Sequence, residues 1–121
     1  METINKARSL PVFRICETDF YVDIRLDEFR QVDAPWNRIS MHEIRETADN
    51  FSELVFDRQT RNIFAGIIDP DNIPSHVNLV IVPPLKELDP VGLARKFGLP
   101  DDTYIKRQAN RIKRNKKGRR L

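Results

Sequence analysis

Few residues in this chain are of a type that supports catalysis. His42 and His76 are the two histidines and Cys16 is the single cysteine. The histidines lie far apart, and neither has a second ligand at a spacing that suits a metal site. His42, Glu43 and Glu46 share one face if that segment is helical, but one histidine with two carboxylates is a thin ligand set. Cys16 opposite His76 across a sheet would make a nucleophile and base, yet no third group in the sequence orients such a pair. Asp19, Asp23, Asp27 and Asp33 sit where a solvated strand surface accounts for them better than a magnesium site does. Gly66, Gly92, Gly98 and Gly118 are the four glycines, and they do not cluster into a phosphate-cradling loop. The expectation is a non-enzymatic protein with no metal and no cofactor.

The chemistry that does stand out is electrostatic. Lys106, Arg107, Arg111, Lys113, Arg114, Lys116, Lys117, Arg119 and Arg120 are nine basic residues in a stretch without a single acid. Taking those nine from the total of 21 leaves 12 basic against 18 acidic residues before them, a balance of −6 beneath an overall charge of +3. An asymmetry of this kind points to a polyanionic partner. On a helix, Arg107, Arg111 and Arg114 form a row, and each guanidinium can give a phosphate two parallel hydrogen bonds. Gln108 and Asn110 would add polar contacts to bases or ribose. The expected partner is DNA or RNA, bound with strong salt dependence. The competing reading is a solvated tail that folds back on the acidic body.

A second kind of partner is also open. Trp36, in the turn-like run Asp33-Ala34-Pro35-Trp36-Asn37-Arg38, is either a lid over the core, the preferred reading, or an exposed interaction anchor, since tryptophan and arginine dominate binding hot spots. With the Arg58–Arg61 turn it would form the surface of a protein–protein adaptor in which the basic tail is incidental.

The totals limit what can position these groups. A chain of 121 residues makes one ordinary domain, able to bury roughly two thirds of its unfolded surface. Hydrophobic residues at 40% and charged residues at 32% imply that part of the chain is surface or tail. One cysteine excludes an internal disulfide. The segment from Met1 to Leu10 carries Glu2 and no apolar run, unlike a secretory signal. Asn50-Phe51-Ser52 spells a glycosylation acceptor, read here as chance. No stretch approaches the roughly 18 apolar residues that would span a bilayer, so no membrane partner and a reducing, cytoplasmic setting are expected.

The order of elements predicts an α+β fold: an antiparallel sheet of five or six strands followed by two C-terminal helices, the last one basic. The division is a compact body over 1–104 and a basic helix or tail over 105–121. Phe20, Val22, Ile24 and Leu26 alternate with polar residues, the period of a half-buried strand. Val12 to Cys16 precedes it, with a turn at Glu17-Thr18-Asp19, and Phe29 to Asp33 follows. Ile39 to Glu46 suits a short strand or a short helix, and Ser40 with Glu43 has the capping-box spelling of the latter. Glu53 to Asp57 and Asn62 to Ala65 read as a hairpin around Arg58-Gln59-Thr60-Arg61. Val77 to Val82, the most apolar run, is expected in the middle of the sheet, ended by Pro83-Pro84.

Asp89-Pro90 then opens a helix that Gly98 closes, with Val91, Leu93, Ala94 and Phe97 on one face. A second helix is expected from about Asp102 to Lys116, docked by the stripe Ile105, Ala109 and Ile112. The run from Leu93 to Leu99 resembles the first helix and turn of a DNA-binding helix-turn-helix. Ala94, Gly98 and Leu99 match its small residue, turn glycine and following apolar residue, and Tyr104 matches a core position of the second helix. The resemblance covers about twenty residues. It departs from the pattern at Arg107, where an apolar residue belongs, and at Pro100-Asp101-Asp102, which would face phosphates with acid.

Overall fold

The computed structural model of the chain describes residues 8–47 and 51–105. They form an α+β fold of antiparallel sheets with few helices. The strands are β1 (Val12–Ile15), β2 (Thr18–Asp23), β3 (Glu28–Gln31), β4 (Arg38–Ser40), β5 (Arg45–Glu46), β6 (Ser52–Asp57), β7 (Asn62–Ile63) and β8 (Val77–Ile81). Two short helices follow, α1 (Leu85–Leu88) and α2 (Pro90–Lys96). Instead of one sheet of five or six strands there are two of four strands each. The break falls at Met41–Glu43, one turn of 3-10 helix that carries the chain from β4 to β5. The Ser40 side chain caps that turn by accepting the His42 amide. The ambiguous segment is thus strand, turn and strand in succession.

The first sheet is a meander, β1-β2-β3-β4. Ile15 pairs with Thr18, so its first hairpin closes through Cys16 and Glu17 alone. Both residues have positive φ, 46° and 70°, the signature of the turn whose twist matches that of the strands. The turn therefore sits upstream of the expected Glu17-Thr18-Asp19. β2 also stops earlier than its alternation suggests. The Asp23 carboxylate accepts the Leu26 amide at 3.1 Å and Asp27 takes φ 56°, which reverses the chain over 24–27. Ile24 stays buried, while Leu26 turns outward.

In the second sheet β6 is the central strand, with β8 along one side and β5 and β7 sharing the other. The expectation that the apolar run 77–82 lies mid-sheet is corrected: among the described residues β8 pairs with β6 only. Its apolar content is split between faces. Val80 and Val82 pack on the core, whereas Leu79 and Ile81 on the opposite face are 43% and 55% exposed. Inner faces of both sheets build one core from Ile15, Phe20, Val22, Phe29, Ile39, Leu54 and Phe56. Phe20 meets Phe56 edge to face across it, ring centroids 6.1 Å apart, a preferred aromatic geometry.

α2 starts and ends as its sequence dictates. Asp89 accepts the Gly92 amide at 2.9 Å as N-cap, and Pro90 fills the first position. At the other end Gly98 has φ +72°, and the amides of Gly98 and Leu99 bond back to the carbonyls of Arg95 and Ala94, a glycine-closed helix terminus. Ala94 is fully buried. Phe97, placed on the inner face by spacing, lies past the last helical turn and is 61% exposed. Residues 103–105 are helical. The rest of the expected helix to Lys116, with Ala109 and Ile112, lies outside the described residues. No described helix is long and apolar enough to cross a membrane.

Candidate functional site

The nine basic residues from Lys106 to Arg120 all lie outside the described residues, among them Arg107, one of the places where the helix-turn-helix resemblance departs. What the structure places is the body from which that stretch departs. Ahead of it stands an ionic cleft of about 880 Å³ between the 24–27 turn, β3, α2 and the incoming N-terminal segment. Five basic side chains line it: Arg8, Arg25, Arg30, Arg95 and Lys96.

Four of these five are held by carboxylates of the body. Arg8 bonds to both oxygens of Asp89, the same buried residue that caps α2. Gly92 permits that closure, because a Cβ there would stand 2.1 Å from an Asp89 oxygen and 2.9 Å from the Arg8 guanidinium. Arg30 reaches Glu28 at 2.9 Å and buried Asp23 at 3.2 Å, with its guanidinium over the Tyr21 ring. Partial burial would lower the pKa of Arg30, but hydrogen bonds to Glu28 and Asp23 more than offset this and raise it. Arg95 and Asp101 form a two-bond pair at 2.9 and 3.0 Å. That pair raises the arginine and pulls the Asp101 carboxyl below its ordinary range. Lys96 binds Asp27 and the Ile24 carbonyl.

Only Arg25 lacks a carboxylate partner among the described residues, and it is exposed. The cleft therefore acts chiefly as an internal lock. It fastens the N-terminal segment and the first sheet to α2, and four of its five cations are already neutralised. Arg95 and Lys96, the cations nearest in sequence before the basic stretch, are occupied in this way.

A different arrangement forms at the opposite end of the first sheet. Trp36 is 80% exposed, which overturns the reading of it as a lid over the core. The loop that carries it is nonetheless fixed. Asn37 donates to the buried Gln31 side chain at 2.9 Å and to the Arg61 carbonyl at 2.7 Å. Asn62 donates in return to the Asn37 side chain at 2.7 Å and to the Arg38 carbonyl at 2.9 Å. These bonds staple the Trp36 loop to the 58–61 turn, where Asp57 caps the Gln59 amide and Arg61 takes φ 56°. Trp36, Arg38 and Arg61 thus flank one hydrogen-bonded seam. Sequence reasoning paired Trp36 with this turn but missed the staple. Its trace was two asparagines, Asn37 and Asn62, each beside a loop.

The groups weighed for catalysis do not assemble. His76 lies 3.9 Å from Asp57 and edge-on to Phe64, Cys16 sits in the first hairpin turn, and His42 is exposed. Asp23 and Asp27 serve Arg30 and Lys96, and Asp19 faces Arg14. Among the described residues no group of three or more His, Cys, Asp or Glu could hold a metal ion. No family model, curated protein or solved structure matches this chain.

Proposed function

We propose that the protein is a non-enzymatic binding module that engages nucleic acid through the basic stretch Lys106 to Arg120. The observation that carries this reading is the segregation of charge. In the ionic cleft the body neutralises four of its cations, Arg8, Arg30, Arg95 and Lys96, in pairs with Asp89, Asp23, Asp101 and Asp27. The nine cations of the terminal stretch have no acid among them in sequence, and guanidinium and ammonium groups of that density suit a phosphate chain. The test is a gel shift with single- and double-stranded oligonucleotides. It compares the native chain with a full-length variant carrying glutamine at all nine positions. Micromolar binding at low salt by the native chain and none by the variant is expected. Equal affinity of the two would refute the reading.

A protein partner at the stapled surface of Trp36 and the 58–61 turn is the second reading. It is supported by the fixed presentation of an exposed tryptophan beside arginines, a composition typical of binding hot spots.

A further inference from the structure

We infer that the Trp36 surface is a stacking platform for an unpaired nucleic-acid base, flanked by Arg38 and Arg61 for the adjoining phosphates. This rests on the nucleic-acid reading above and narrows it to single strands. Four observations point the same way.

The first is exposure: at 80% the indole leaves its ring open to solvent, and a stacking partner needs an open π-face. The second is rigidity. The seam of Gln31, Asn37, Asn62 and the Arg61 carbonyl holds the loop before any ligand arrives, so ordering costs little on binding. The third is charge. The Arg38 side chain is 59% exposed and its acid contact, to Glu28, is a long 3.7 Å; Arg61 is exposed with no carboxylate partner among the described residues.

The fourth observation separates a base from a protein partner. Protein hot spots are surrounded by further apolar contacts that exclude water. Of the exposed large hydrophobic residues, none besides Trp36 falls within 32–38 or 58–61. An exposed aromatic ring on a seam that also carries two arginines matches one base and its phosphates. A duplex offers phosphates but keeps its base faces stacked inside, so this surface discriminates in favour of single strands.

Trp36 is the one tryptophan of the chain, so tryptophan emission, excited beyond the tyrosine absorption band, reports on this surface. The full-length protein is titrated with a single-stranded oligonucleotide of about 12 nucleotides, with the corresponding duplex, and with polyglutamate. The expected result is strong quenching by the single strand and little by the other two. Trp36→Ala should weaken single-strand affinity by about 5- to 100-fold, and Trp36→Phe should recover most of the loss. Single-strand binding that leaves the fluorescence unchanged and is unaffected by Trp36→Ala would overturn the stacking inference while leaving the basic stretch as the binding element. Equal quenching by duplex, or quenching by polyglutamate in place of the oligonucleotide, would also overturn it. Absence of any nucleic-acid binding by the native protein would overturn both this inference and the function on which it rests.

Discussion

Residues in unfavourable conformations show where local chemistry yields to the register of the sheets. Cys16 and Glu17 both occupy positive φ, a region that costs non-glycine residues roughly 1–2 kcal/mol each and that hairpins usually fill with Asn-Gly. The inward alternation of Ile15, Phe20 and Val22, all fully buried, fixes a two-residue loop regardless of what stands in it. A slip by one residue would turn those side chains to water. Relieving the turn should therefore help. The double change Cys16→Asn with Glu17→Gly is expected to raise stability by about 0.5–1.5 kcal/mol in urea denaturation, net of the extra freedom glycine gives the unfolded chain. A loss of stability would mean that Cys16, packed against the core, contributes more through contact than it costs in strain.

The elements themselves were partly legible. Capping and termination of α2 could be read from Asp89, Pro90 and Gly98 because each acts on its own neighbours. The division into two sheets could not, since the switch at Met41–Glu43 depends on which strands β5 and β6 find as partners. The ranking of strands failed for a related reason. Apolar content marked β8 as central, but Leu79 and Ile81 point away from the core and, among the described residues, β6 alone pairs with β8. The true centre, β6, hides its inner Leu54 and Phe56 among the polar neighbours Glu53 and Asp57. Leu54→Ala should then cost about 2–5 kcal/mol by leaving a cavity, whereas Ile81→Ala should cost less than about 1 kcal/mol. Comparable losses for the two in chemical denaturation would contradict this assignment of centre and edge. The cleft was not legible either, because Arg8 and Asp89 or Asp27 and Lys96 meet only through the packing of α2 on the first sheet.

At the scale of the whole molecule the account is one of charge allocation. The body before residue 106 carries a balance of −6. In the body, however, Asp23, Asp27, Asp89 and Asp101 already have cationic partners of their own. The proposed division gives the body the task of presenting Trp36 and leaves phosphate binding to Lys106 through Arg120. Its most direct test is the salt dependence of single-strand affinity. Each neutralised phosphate releases counterion, giving a slope in log K against log salt of about −0.7 per contact on a single strand. The native protein should show a slope between about −3 and −6, and the variant with glutamine at the nine basic positions should show one near zero. The same slope for both proteins, or a native slope shallower than about −1, would contradict the claim that this stretch carries the binding.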